Sequence, residues 1–209
     1  MAEAARHGWW KAFVEKVPDG YFDLLAIEED ASRIVHFHPM VVPGLLQTEE
    51  YAEVVTLTTT LKSLTSAEAA MLVRVRMLRQ QGVFHSDRSK QLVFLLDESV
   101  LRRPVGTAGT MGRQLQHLLG MAEHPMVSVT VLPFQAQPHP GFLGAFMVLQ
   151  YGNGLDDVIC FETHMGNKLV RNSPDLVREY QTLSQRLASV DPNGERSRQA
   201  IASALSDTA

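Results

Sequence analysis

The chain has 209 residues, 45% hydrophobic and 20% charged, with a formal net charge of −4. That is enough apolar material to bury a core unaided; the acidic balance argues against a non-specific nucleic-acid binder, which needs a basic surface, and the single cysteine, Cys160, rules out a disulfide scaffold. No apolar run reaches the roughly 18 residues of a membrane span, and the opening MAEAARHGWW has no signal-peptide core, so one cytoplasmic domain over 1–209 is expected.

In chain order, residues 2–16 have helical periodicity, with Trp9, Trp10, Phe13 and Val17 leaning to one side. Pro18-Asp19-Gly20 signals a turn, and a second helix is expected over 22–32. Residues 33–38, RIVHFH, alternate and are rich in β-formers, a strand ended by Pro39. The Pro43-Gly44 pair predicts a tight turn before a helix over 47–58, where Gln47 either caps or binds a ligand. Ser66 is placed to cap a helix that stops at Gly82. Its face carries Arg74, Arg76 and Arg79; Arg76 and Arg79, three apart, are expected to tie helix to sheet. Residues 92–96, LVFLL, form the continuous apolar run of a strand buried on both faces.

That strand passes into Asp97-Glu98 and a short helix stopped by Pro104. A helix is expected over 111–122 and strands over 127–132, 144–151 and 157–162, the last two joined through Gly152-Asn153-Gly154. Helices over 173–190, opened by Ser173-Pro174, and 193–205 follow. The late strands have short connections and read as antiparallel. The fold class is therefore α+β (mixed α/β): a mixed, partly antiparallel sheet with helices packed on it, in a single domain. Neither a Gly-x-Gly-x-x-Gly nor a P-loop string occurs, which disfavours dinucleotide and P-loop folds.

Several side chains at predicted strand ends carry chemistry. Glu98 follows the buried strand, a position where sheet proteins meet ligands. It reads as a base or cation binder, or as a helix-start carboxylate paired to Arg102 four residues on. Glu162, between Phe161 and the nearby His164, suits a cationic ligand beside aromatic walls, or pairs with Lys168 or Arg171. Arg102 and Arg103 offer two-pronged recognition of a carboxylate, or hold the loop before Pro104. His36 and His38 share one side of their strand. With Cys160 and His164 they would supply a zinc set, but the spacing fits no closed motif, and no metal is expected. His38 reads as a proton donor or acceptor near neutral pH. Cys160, on a buried strand, is a poor nucleophile.

Longer strings add a family resemblance. They are Pro43-Gly44-Leu45-Leu46-Gln47-Thr48 with Tyr51-Ala52; Arg76-Met77-Leu78-Arg79-Gln80; the run from Asp97 to Gly106; Gln114-Leu115; Val131-Leu132-Pro133-Phe134; Gly144-Ala145-Phe146; and Asp157-Val158 with Phe161-Glu162. In order and spacing, from Trp9 to about Leu205, the chain resembles an uncharacterised domain of high-GC soil bacteria. That domain usually follows a lambda-repressor-like (XRE-type) helix-turn-helix in regulators. Two positions depart from the family pattern: His38 replaces an acidic residue before the proline, and Cys160 replaces an aromatic.

The resemblance implies a small-molecule-binding domain. The helix-turn-helix is absent from this sequence, so direct DNA binding is not expected. A stand-alone domain of this kind is expected to serve as an enzyme of secondary metabolism. The sharpest form is a lyase or cyclase that needs no pyridoxal phosphate or other cofactor and takes S-adenosylmethionine as substrate. It would release methylthioadenosine and form 1-aminocyclopropane-1-carboxylate. Such a reaction asks for a carboxylate near the sulfonium (Glu98 or Glu162), an arginine on the substrate carboxylate (Arg102 or Arg103) and a base at the α-carbon (His38). Gln47 and Phe161 are further substrate contacts in this reading. The alternative is a non-catalytic effector-sensing or partner module of a helix-turn-helix regulator. A homodimer is compatible with both.

Overall fold

Six strands hydrogen-bond into one sheet in the computed structural model, which describes residues 20–60, 63–85, 90–152, 155–163 and 166–208. They are β1 (Arg33–His38), β2 (Gln91–Asp97), β3 (Val127–Leu132), β4 (Ala145–Gln150), β5 (Val158–Thr163) and β6 (Gly166–Val170), in the spatial order β3-β2-β1-β4-β5-β6. β1 pairs parallel to β2, and β2 parallel to β3; the β1–β4, β4–β5 and β5–β6 pairs are antiparallel. Four strands, β1, β2, β3 and β5, therefore point the same way. The expected mixed sheet with an antiparallel late half is what the chain forms.

The helices are α1 (Tyr21–Asp30), α2 (Glu49–Thr59), α3 (Ser66–Phe84), α4 (Ser99–Arg102), α5 (Ala108–Met121), α6 (Pro174–Ala188) and α7 (Glu195–Ser206). Alternation along the strands sorts the core into two layers. Ile34, Leu92, Phe94, Leu96, Met147 and Cys160 face one way, into the larger layer under α2, α3 and α5. Val35, Phe37, Leu95, Phe146 and Val148 face the other way, against Leu183 and Leu187 of α6. Coverage of both faces explains why β2 reads as an unbroken apolar run. The β3 edge is closed by α7, whose Ser197 hydroxyl accepts the Val131 N–H at 2.9 Å. Among the described residues no helix is long and apolar enough to cross a membrane.

Several boundaries differ from expectation for local reasons. Thr65, not Ser66, caps α3: its hydroxyl accepts the Glu68 N–H while Glu68 returns a bond to the Thr65 N–H. Gly82 does not stop α3, because the burial of Val83 carries the helix on to Phe84. Thr48, not Gln47, caps α2, and Thr107 starts α5 ahead of Met111. β6 was not expected: GNKLV has no apolar alternation and lies at an edge, half-exposed. The helix expected over 2–16, with Trp9, Trp10 and Phe13, lies outside the described residues, as do Asn153, Gly154 and His164.

Leu95 sits fully buried in a central strand. Leu95→Asp places an unpaired charge there, which costs several kcal/mol, comparable with total stability. The variant is expected to be lost from the soluble fraction; normal yield and an unchanged melting temperature would contradict the assignment of β2 to the centre.

Candidate functional site

The segment between β1 and α2 is a buried loop, and its main-chain groups need internal partners. Glutamines supply them. Gln80 donates to the carbonyls of Gly44 and Gln47, both at 2.8 Å. Gln114 donates to Leu46 O and accepts the Thr48 N–H. Gln47 donates to Val42 O at 2.7 Å, and the Tyr51 hydroxyl accepts the Val42 N–H. Three of the strings behind the family resemblance are thus one clasp. It fixes the chain leaving β1, beside the end of the sheet where the parallel strands finish.

At that end His38 closes β1, Asp97 closes β2 with Glu98 next in the chain, and Glu162 lies one residue from the end of β5. Ligands of sheet proteins bind outside such carboxyl ends. His36 and His38 project to one face from β1. Glu162 reaches back toward them from two strands away, opposite Ala145 of the intervening β4. Ala145 lies on the same face as Met147, the partner of His36, and its small side chain leaves room for the contact. His36 Nε2 is 3.2 Å from Glu162 Oε1, and His38 Nε2 is 3.8 Å from Glu162 Oε2.

His36 is fully buried, and neither of its ring nitrogens makes a well-directed hydrogen bond among the described residues. The Glu162 side chain keeps 26% of its surface open, whereas His36 is closed off. Burial alone would raise the Glu162 carboxyl, but His36, His38 and Arg79 overcome this and hold it well below the usual carboxylate range. Burial has the larger effect on His38, which is pulled down to about 4 against the opposing influence of Glu162. The geometry adds a reason. His38 Nδ1 accepts the N–H groups of Met40 and Val41, both at 3.2 Å. Two donors on Nδ1 assign the neutral ring's proton to Nε2. His38 therefore presents a donor to Glu162.

Behind the histidines lie charges from α1 and α3. Arg79 grips Glu28 with two bonds of 2.7 and 2.8 Å, both side chains buried, and its guanidinium sits 5.7 Å from the Tyr21 ring centre. Burial opposes the Arg79 charge, yet Glu28 holds it firmly protonated. Arg76 donates to Gln47 Oε1 at 2.6 Å. The expectation that these arginines are structural thus describes Arg79; among the described residues Arg76 has only neutral acceptors.

The sequence-selected residues separate. His38 and Glu162 come together. Glu98 lies three strand positions from Glu162, about 14 Å across the sheet. It is occupied: its carboxylate accepts the Phe134 N–H at 3.1 Å and lies 3.5 Å from Arg102 Nε. Arg102 also pairs with Asp207, and Arg103 is exposed. Phe161 alternates to the opposite face from Glu162 and packs edge-on against Tyr180, 5.3 Å between centres. Gln47 is held in place, with Nε2 on Val42 O and Oε1 on Arg76. Glu162 faces the two histidines rather than Lys168, which is opposite Phe161. The residues that sequence reasoning passed over are Tyr21 and Glu28, whose helix α1 shows no marked periodicity, and His36 as the nearer partner of Glu162.

A zinc site built on His36 and His38 conflicts with the His38 tautomer, since Nε2 carries a proton where a metal needs a lone pair. Cys160 is buried and its thiol is pushed up to about 12, chiefly by burial, so it supplies no thiolate. Among the described residues no group of three His, Cys, Asp or Glu is arranged to hold a metal ion.

Sheet order, glutamine clasp and polar centre together define a one-sheet α+β domain with a half-buried charged site at its strand ends. The family follows from the sequence match: residues 21–203 fit the model described as domain of unknown function (DUF5753), and the chain belongs to that family. No curated protein and no solved structure matches it.

The lowered His38 makes stability depend on pH. Between about 4 and 6.5 the unfolded chain binds the proton that folded His38 refuses, so this contribution is complete above 6.5 and lost as pH falls toward 4. Its size is on the order of 3 kcal/mol. His117 and His139 are also lowered and add to the same slope. His38→Asn, which retains an acceptor for the two N–H groups, should flatten denaturant-measured stability over that window; an unchanged slope would contradict the assignment.

Proposed function

We propose that the domain binds a small amino-acid-like molecule carrying both charge signs at the Glu162 centre, and that it acts on S-adenosylmethionine as a pyridoxal-phosphate-independent lyase or cyclase. The observation that carries this reading is the convergence of His36 and His38 on the ionised carboxylate of Glu162, whose side chain is partly exposed. An ionised carboxylate in a partly desolvated site attracts a cation such as a sulfonium. Two arginines and two glutamates balance within the cluster, which suits a ligand bearing both signs better than a simple anion.

In the reaction proposed, a base takes the α-proton. The C–H electron pair forms the Cα–Cγ bond, and the Cγ–S pair leaves with sulfur as neutral methylthioadenosine. His38 is the wrong base, because its Nδ1 is occupied and its Nε2 is protonated. His36 is fully buried, so it does not reach a substrate carbon; its Nε2 faces Glu162 and its role is to position that carboxylate. Glu162, so placed, serves the sulfonium.

A second reading rests on the exposed Phe134 and Phe142 at the strand-end loops. Exposed aromatics suit a docking surface, and this reading makes the domain a non-catalytic module of an XRE-type helix-turn-helix regulator.

The test is calorimetric titration with S-adenosylmethionine, together with chromatographic assay of methylthioadenosine. Glu162→Gln should lower affinity or turnover about tenfold or more, equivalent to about 1.4 kcal/mol, while Glu98→Gln leaves both unchanged. Absence of binding and product with the wild type, or full function in Glu162→Gln, would overturn the enzymatic reading.

A further inference from the structure

Arg76 and Arg79 are three residues apart on α3 and share a face, yet their surroundings differ. Arg79 is neutralised by both oxygens of Glu28. Arg76 gives Nη1 to the amide oxygen of Gln47, a neutral acceptor, and its other close neighbour is the Tyr21 hydroxyl. Among the described residues no carboxylate lies within ion-pair distance of the Arg76 guanidinium. Gln47 cannot turn to serve it differently, because its Nε2 is held on Val42 O and its main-chain carbonyl on Gln80. Gly44 packs on the Arg76 stem, so that a Cβ there would lie 3.8 Å from Cδ and Nε. The guanidinium is thus aimed by the clasp, half-buried, and has donors left over in a planar fork. That fork matches a planar carboxylate. Arg76 is joined to Glu162 through the clasp: Gln47, which it holds, bonds Val42, and the adjacent Val41 N–H fixes His38, the neighbour of Glu162; Glu162 also favours the Arg76 charge.

We propose that Arg76 is the anion anchor of the Glu162 site. It binds the carboxylate of an amino-acid-like ligand whose cationic centre faces Glu162, with Gln47 as a positioning residue. This deepens the ligand-binding reading above and depends on that site, but not on S-adenosylmethionine being the ligand. It also replaces Arg102, which Glu98 and Asp207 occupy, as the carboxylate partner.

The experiment has two arms, both on the full chain. The first follows the arginine Nε–Hε signals by proton–nitrogen correlation during titration with acetate at constant ionic strength. The Arg76 signal, assigned by its absence from Arg76→Lys, should shift saturably while that of Arg79 stays still. No shift at Arg76, or a shift no larger than at exposed Arg103, overturns the proposal. The second arm compares S-adenosylmethionine with its decarboxylated form. Wild type should prefer the carboxylate form by about tenfold or more, and Arg76→Lys and Arg76→Gln should lose most of that preference while keeping the wild-type melting temperature within about 3 °C. If acetate engages Arg76 and S-adenosylmethionine does not bind, the anchor stands and the substrate assignment falls. If S-adenosylmethionine binds wild type and both variants alike, the anchor falls and the substrate assignment stands.

Discussion

A carboxylate moved out of water must be compensated by donors or cations, or it takes up a proton. Glu162 meets that constraint with two imidazoles from one strand and the charge of Arg79 from one helix, with Arg76 beside it, and it stays ionised. Each partner requires a particular piece of the fold. The histidines need β1 in the sheet centre with a small residue, Ala145, beside it. The arginines need α3 laid over the same face, and α3 is held there by Glu28 of α1. Breaking the Arg79–Glu28 pair would leave a buried charge unpaired, among the more costly defects a domain can carry.

The glutamine clasp links this centre to the rest of the chain. Gln80 of α3, Gln114 of α5 and the loop's own Gln47 satisfy one buried loop. The same loop orients His38, since the N–H groups of Met40 and Val41 at its start fix the imidazole tautomer. Gln47 also directs Arg76. Backbone satisfaction, a stability requirement, and side-chain aim, a site requirement, are therefore met by the same bonds. Packing of α6 on the opposite face is independent of all of this, and Phe161 belongs to that layer.

The central strands were legible because both-face burial and alternation leave strong patterns: 33–38 and 127–132 match β1 and β3 residue for residue. β6 was not, because an exposed edge strand needs no apolar period. The site was legible in part. A histidine and a glutamate at strand ends pointed to His38 and Glu162. Their meeting depends on β5 lying two positions from β1, and strand order is a long-range property that local spacing does not contain. Glu98 satisfied the same strand-end rule and landed elsewhere, bound by a main-chain N–H. The role of His38 also changed, since which nitrogen holds the proton is decided by a turn whose geometry the sequence does not show.

The account depends on His38 being a neutral imidazole with its proton on Nε2, directed at an ionised Glu162. Long-range proton–nitrogen correlation of the histidine rings, recorded from pH 8 down to pH 5, measures this directly. The account predicts that His38 keeps an unprotonated Nδ1 and a protonated Nε2 throughout, with no titration near 6.5. A proton on Nδ1 at neutral pH, or a His38 titration centred near 6.5, would contradict it.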